Sequence, residues 1–312
     1  MIAVVGRLIV TTGSPLKDGR TTEIFDLVNE NESCFAPDFP MELYGAVGGF
    51  VGGQDIICGG GDPPINKCFD ITNGKEVSFS LKKARRDAIS VNLEENFFVF
   101  GGRDEKNDQV DSFEIFSKDF HIEKNLPFSW ELGCAVSLSQ ASILLIGGYQ
   151  NGVRETKTWI FNFGTEVWTQ GPEMKIARQE FGCGKVKNFV AVLGGFPYTS
   201  TTELLYENQF EFGKCQNFLK CEAQNSFSGE EMPMKLDAMS VAQDPSDDSS
   251  LIITGGRQTN GQLLDTFLRF HCDESNQCFW QIMSQMLRIP RSRHISTFTK
   301  KPLNCTNKKY RG

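Results

Sequence analysis

Short apolar runs without polar alternation recur along the chain, and each ends in glycine. They are Ile56-Ile57-Cys58 before Gly59-Gly60, Phe98-Val99-Phe100 before Gly101-Gly102, and Leu145-Ile146 before Gly147-Gly148. Val192-Leu193 before Gly194-Gly195 and Ile253-Thr254 before Gly255-Gly256 follow, and Ile9-Val10-Thr11-Thr12-Gly13 is a degenerate first copy. Runs of four or five apolar residues bounded by turn signals predict strands buried on both faces. A glycine pair lets the chain leave such a strand through backbone conformations closed to other residues.

The first glycines of successive pairs lie 42, 46, 47 and 61 residues apart. Two further columns keep step with them. One is an aromatic 10 to 15 residues downstream: Phe25, Phe69, Phe116, Phe161, Tyr206, Phe270. The other is a small residue upstream: Ala46, Ser90, Cys134, Cys183, Ser240, with Ser296 after the last pair. A period of this length marks stacked supersecondary units. One four-stranded sheet cannot bury its own faces, whereas radially packed neighbours can, leaving only short edges exposed. The sequence therefore predicts an all-β, six-bladed β-propeller with four antiparallel strands per blade. A β-sandwich would demand no fixed long period.

The glycine pair, the downstream aromatic and a trailing tryptophan resemble the kelch repeat. The best copy runs from Gly147-Gly148 through Trp159-Ile160-Phe161-Asn162 to Trp168, and the sixth keeps Trp280. Elsewhere that place falls to Val77, Phe120 or Phe212. The resemblance covers nearly the whole chain and specifies a fold rather than a partner. It implies that the small-residue column lies on the innermost strand and that the glycine pair ends the second. The aromatic then lies on the third strand and the tryptophan on the fourth. By that assignment Arg293 to Thr299 is an inner strand with no following copy, so the C-terminal strand completes the N-terminal blade and closes the ring. Ile2 to Val5 is the rival for that slot. The propeller is expected over 1–299, with a basic tail at 300–312.

Five residues before each small position lies the lead-in to the inner strand, which reads Met41, Arg85, Ser129, Arg178, Lys235, Arg291. In kelch substrate adaptors the arginine here lines the channel mouth and grips acidic peptide motifs. The resemblance thus implies Arg85, Arg178, Lys235 and Arg291 as ligand contacts, since guanidinium offers carboxylates a bidentate fork. Two residues further on stand Asp87, Glu131, Glu180 and Asp237, so the two rings could instead neutralise each other as a structural belt. The loop after each glycine pair opens on the same face and carries Arg103, Tyr149, Arg154, Phe196, Tyr198 and Arg257. Arginines and aromatics on loops of a rigid scaffold are what binding hot spots use, and Arg103, Tyr149 and Arg257 join the expected binding set.

Composition narrows the picture. A net charge of −7 and a pI of about 5.2 argue against nucleic acid as a partner. No apolar run reaches the length of a membrane span. Some kelch-like propellers are copper radical oxidases, which need two His, two Tyr and a Cys crosslinked to Tyr. Here His121, His271 and His294 fall at different places in their repeats. Zinc spacings, phosphate-binding loops and nucleophile elbows are absent from the sequence. No catalytic residue, metal or cofactor is expected. The reading is a monomeric, non-enzymatic module binding a protein or peptide through the loop face, acidic if the basic column meets it. The alternative is a secreted carbohydrate-binding or sugar-processing propeller.

Ten cysteines raise the question of compartment. Cys134 and Cys183 sit in the small-residue column and read as buried thiols. The others pair plausibly as Cys34 with Cys305, Cys58 with Cys68, Cys215 with Cys221, and Cys272 with Cys278. Glycosylation sequons at Asn31 and Asn304 neighbour the first pair. Together these favour an oxidising, extracellular setting over the cytoplasm, although Met1 to Val10 reads as a strand rather than a signal peptide. The long fifth interval holds a polar insertion at Gln216 to Glu231 and a loop at Asp244 to Ser250, expected as surface decoration.

Overall fold

The computed structural model describes residues 7–14, 19–27, 33–206, 226–228, 230–243 and 247–299. Blade 1 opens with β1 (Arg7–Thr11), β2 (Thr22–Phe25) and β3 (Ser33–Phe35). Blade 2 comprises β4 (Val47–Val51), β5 (Gln54–Cys58), β6 (Lys67–Asp70) and β7 (Glu76–Ser80). Blade 3 comprises β8 (Ile89–Leu93), β9 (Asn96–Phe100), β10 (Ser112–Phe116) and β11 (His121–Asn125). In blade 4, β12 (Cys134–Ser139) and β13 (Ser142–Ile146) are followed by a small hairpin, β14 (Tyr149–Gln150) with β15 (Val153–Arg154). The blade then resumes with β16 (Thr158–Asn162) and β17 (Val167–Gln170). Blade 5 comprises β18 (Gly182–Val186), β19 (Phe189–Leu193), β20 (Thr202–Tyr206) and β21 (Ser226–Ser228). Blade 6 comprises β22 (Ser240–Gln243), β23 (Ser250–Thr254), β24 (Thr266–Cys272) and β25 (Cys278–Met286).

The last strand, β26 (Ile295–Thr299), returns to blade 1 and pairs antiparallel with β1, from Arg7 opposite Thr299 to Thr11 opposite Ile295. The C-terminal strand thus closes the ring, as the lead-in at Arg293 predicts. Ile2 to Val5 lies outside the described residues. The innermost strands β26, β4, β8, β12, β18 and β22 neighbour one another in a closed circle. No helix occurs among the described residues.

The core lies between blades. Each second strand is buried along nearly its whole length, as in β19 (Phe189 to Leu193) and β23 (Ser250 to Thr254). The aromatic column fills the gaps. Phe25 of blade 1 meets Phe267 of blade 6 edge-on at 4.8 Å, and Phe161 of blade 4 meets Phe113 of blade 3 at 5.3 Å. The tryptophans of the fourth strands pack on their own blade's aromatic, Trp168 on Phe161 at 4.7 Å and Trp280 on Phe270 at 4.9 Å. The glycine pairs hold positive φ throughout, and Thr12 takes the first place in blade 1 at φ 61°. The need is visible at Gly101 (φ 59°), where a Cβ would run into the carbonyl oxygen of Trp130 on the neighbouring blade.

Cys58–Cys68 and Cys272–Cys278 are disulfides, each joining adjacent strands of one blade. Cys34 is disulfide-bonded as well. Cys305, Cys215, Cys221, the sequons at Asn31 and Asn304 and most of the long insertion lie outside the described residues. The expectation of buried thiols at Cys134 and Cys183 is corrected. These two form a third disulfide, closing 49 residues and joining inner strands β12 and β18 of adjacent blades. Cys134 opens β12 and Cys183 lies one place into β18, and the inner strands of adjacent blades run side by side, so the two sulfurs meet across the blade boundary. A longer closed loop removes more entropy from the unfolded chain. We therefore expect Cys134→Ala/Cys183→Ala to lower unfolding free energy by about 2–4 kcal/mol, and Cys272→Ala/Cys278→Ala by less, measured by urea denaturation.

Candidate functional site

The loop face is organised by a ring of backbone hydrogen bonds around the channel. The N–H of Asp87 donates to Gly45 O (2.7 Å), Leu132 to Asp87 (3.0 Å) and Glu180 to Leu132 (2.9 Å). Ala238 donates to Glu180 (2.7 Å), Arg293 to Ala238 (2.8 Å) and Gly45 to Arg293 (3.2 Å), which closes the circle. Each blade contributes one residue, and all six are left-handed, with φ between 49° and 65°. Only one of them is glycine.

This ring gives the true register of the lead-ins. The residue two places before each ring member is Leu43, Arg85, Trp130, Arg178, Leu236 or Arg291. All six are buried, at 0–2% exposure. The equivalence is confirmed by the glycine pairs: the second glycines Gly60, Gly102, Gly148, Gly195 and Gly256 donate to the carbonyls of Arg85, Trp130, Arg178, Leu236 and Arg291. Met41, Ser129 and Lys235 do not belong to this column, because the small residues they are counted from are not in register. The residues opposite the end of each second strand are Val47, Ile89, Cys134, Gly182, Ser240 and Ile295, each four places after the column. Lys235 is exposed on the lead-in loop of blade 6.

The expectation that Arg85, Arg178 and Arg291 contact a ligand is therefore corrected. Each turns inward along its own blade. Arg85 donates to Gly101 O (2.9 Å) and Ser112 O (3.0 Å) and pairs with Glu114 (2.7 Å). Arg178 donates to Gly194 O (2.7 Å) and pairs with Glu203 (2.5 Å). Arg291 donates to Thr12 O (2.9 Å) and Thr21 O (3.1 Å) and pairs with Glu23 (2.7 Å). Each glutamate also accepts backbone N–H groups from the lead-in, as Glu23 does from Arg288 (2.7 Å) and Glu203 from Lys175 (2.6 Å). Burial is the main influence on these groups, lowering the Arg85 and Arg178 guanidinium pKa values and raising the Glu23 carboxyl. These glutamates stand on the third strand opposite the residue two places before each glycine position, where blades 2, 4 and 6 carry Phe69, Trp159 and Leu268. Arginine and glutamate thus occur together in alternate blades and are absent together from the others. That pairing was a signal available in the sequence.

The fold is similar to that of YjhT. This solved structure covers 86% of the chain and 96% of its own length, with a TM-score of 0.67 and 11% identity. At that identity the likeness is one of fold alone. No family model matches the chain, and no curated protein matches it.

A second set of arginines surrounds the channel mouth. Arg103 forks onto Glu131, with Nη2 to Oε1 at 2.5 Å. Arg257 meets Asp237 (2.9 Å) and Glu180 (2.9 Å). Arg293 of blade 1 reaches Glu180 of blade 5 and lies 3.6 Å from Asp87 of blade 3. It therefore bars the mouth between alternate blades. Arg86 joins Asp62 (2.8 Å) and Asp87 (3.8 Å). The acids of the expected belt are buried, but the belt is corrected in its basic half. Their partners are Arg103, Arg257, Arg293 and Arg86, whereas the arginines of the lead-in column pair with Glu114, Glu203 and Glu23. Arg86 and Arg293 were missed, although Arg293 stands in the same column as Asp87 and Glu180 with opposite charge.

Tyr44, Tyr149, Phe196 and Tyr198 are half-buried on this face. Arg86 lies over the Tyr44 ring at 5.8 Å and Arg154 over Phe196 at 5.0 Å, with Tyr198 edge-on to Phe196 at 5.5 Å. The three histidines belong to three different blades. His121 stacks on Phe116 at 4.0 Å and bonds Glu114, while His271 lies beside Phe279 in blade 6. His294 is buried with Nε2 2.7 Å from Thr254 Oγ1. Burial, reinforced by Arg291, holds it well below the usual histidine range.

Removing one member of a buried ion pair strands the other, at a cost of about 3–5 kcal/mol, whereas replacing both with apolar residues is far milder. Blade 6 already fills the same two places with Leu236 and Leu268. We expect Arg178→Leu to destabilise the fold by about 3–5 kcal/mol and Arg178→Leu/Glu203→Leu to restore most of that loss. Denaturant unfolding of the two variants checks it.

Proposed function

We propose that the chain is a non-enzymatic interaction module of the kelch type, secreted into an oxidising compartment, which binds a protein or peptide through its loop face. The observation that carries this reading is the set of half-buried aromatics Tyr44, Tyr149, Phe196 and Tyr198 around the mouth, two of them held under arginine. Rigid aromatic rings beside guanidinium groups are the side chains on which protein interfaces concentrate their energy. The scaffold beneath them is fixed by the ring of backbone bonds, so little ordering cost is left for binding. Glu131, Glu180 and Asp237 are already engaged by Arg103, Arg257 and Arg293, which leaves them poorly placed to hold sugar hydroxyls and favours a protein ligand over a carbohydrate. Kelch membership is supported by the glycine pairs and the aromatic column, together with Trp168 and Trp280. Secretion is supported by Cys58–Cys68, Cys134–Cys183 and Cys272–Cys278, since such bonds persist in oxidising surroundings.

The test is affinity capture from the fluid bathing the producing cells, followed by titration of the captured partner. Tyr149→Ala/Tyr198→Ala should weaken binding by about 30-fold or more. Phe120→Ser, on the hairpin at the opposite face, should leave it unchanged. A partner held equally well by the double variant would place recognition elsewhere.

A further inference from the structure

The charges at the mouth are layered. The side chains of Glu131 and Asp237 are 0% exposed, whereas those of Arg103 and Arg257 keep 25% and 34% of their surface in solvent. Arg293 is likewise more open than the Asp87 and Glu180 it meets, and Arg86 more open than Asp87. Solvent at the mouth therefore sees guanidinium groups with Asp87, Glu131, Glu180 and Asp237 behind them, while Asp62 stands outside Arg86 at 70% exposure. Counting the exposed Asp62 on Arg86, four arginines face five carboxylates, so the cluster carries one surplus negative charge.

Two of those carboxylates sit where ionisation is disfavoured. Burial raises the Asp87 pKa above the ordinary aspartate value. Arg293 and Arg86 oppose that shift, while Glu180 and Glu131 add to it, and Tyr44 also faces Asp87. Burial raises Asp237 as well, with Arg257 and Arg293 opposing and Glu180 adding. A buried carboxyl with a raised pKa holds its proton more tightly in the fold than in the unfolded chain. Neutralising these two groups therefore favours the folded state as pH falls through their folded pKa values. Guanidinium groups stay charged throughout. Loss of the two aspartate charges alone turns one surplus negative charge into one surplus positive charge, with Arg103, Arg257 and Arg293 outside the carboxylates they meet.

We propose that the channel mouth is an acid-operated anion site, closed to anions at neutral pH and able to bind a sulfate, phosphate or carboxylate group held by Arg103, Arg257 and Arg293 in mild acid. The proposal concerns regulation of the loop face and rests on the reading that this face meets ligands. It makes the affinity of that face for anionic groups depend on compartment pH.

Inorganic sulfate is the probe, because it keeps its double charge across the whole range. Equilibrium dialysis of the wild-type protein at constant ionic strength should show binding tighten about tenfold or more between about pH 7.5 and about pH 4.5. Asp87→Asn/Asp237→Asn copies the neutral aspartates and should bind sulfate at about pH 7.5 as tightly as the wild type does in acid. If that double variant is unstable, Asp237→Asn alone should bind at neutral pH with an intermediate affinity. Wild-type binding that does not tighten in acid overturns the proposal. So does tightening in acid without gain by the folded Asn variants at neutral pH, which would mean an anion site elsewhere on the surface. Either failure leaves the protein-capture test untouched, since that test reads Tyr149 and Tyr198 rather than sulfate.

Discussion

The constraint on which the rest of the structure depends is closure of the ring. A single blade exposes two apolar faces, and the buried clusters of this chain each draw side chains from two neighbouring blades. The circle of N–H to carbonyl bonds through Gly45, Asp87, Leu132, Glu180, Ala238 and Arg293 expresses the same constraint in the backbone. Five non-glycine residues accept left-handed conformations there. Such strain, of order 1–3 kcal/mol per residue, persists only where surrounding structure over-determines it. Closure also decides where charge goes. Asp87, Glu180 and Arg293 occupy ring positions in alternate blades, so their side chains meet across the axis.

Beneath the ring, one structural problem is solved in two ways. Each lead-in must fill the space between the end of its second strand and the start of its third. Blades 1, 3 and 5 do so with an arginine–glutamate pair that satisfies backbone groups at both ends. Blade 4 uses Trp130, whose indole N–H donates to the carbonyl of Gly147, the position that arginine reaches in other blades. Blades 2 and 6 use Leu43 and Leu236. A buried charge without its counter-ion is costly, so the arginine and the glutamate have to be adopted together. This is why arginine and glutamate appear together or not at all.

That rule explains what was legible in the sequence and what was not. The glycine pairs and the aromatic column are set by backbone conformation and by volume, which leave marks at fixed spacing, and Arg293 to Thr299 stood out as an inner strand lacking a successor. Met41, Ser129 and Lys235 were misplaced because the small residues are not in register, Ser90, Cys183 and Ser296 lying one place further along the inner strand than Cys134 and Ser240, and Ala46 one place earlier. Counting from the small residue put Lys235 where Leu236 belongs and Ser129 where Trp130 belongs. The burial of Arg85, Arg178 and Arg291 could have been read from Glu114 and Glu23 two places before the aromatics and Glu203 three places before Tyr206. Cys134 and Cys183 escaped notice as a pair because they are neighbours only across a blade boundary.

Among the described residues, the six-fold plan is broken between blades 4 and 5. There the extra hairpin of Tyr149 to Arg154 leans over blade 5, with Arg154 against Phe196, while Cys134–Cys183 ties the two inner strands. One bond fixes the walls and the other contact couples the loops, so the relative position of Tyr149, Phe196 and Tyr198 is set by the scaffold. Val153 at the hairpin tip is 58% exposed, an apolar side chain with no role in the core. Arginine thus serves two purposes in one molecule, and burial separates them. The fully buried set directs its hydrogen bonds and its ion pairs within a blade. The half-exposed set keeps a solvent-facing edge beside aromatic rings, and only that set has anything left to offer a partner.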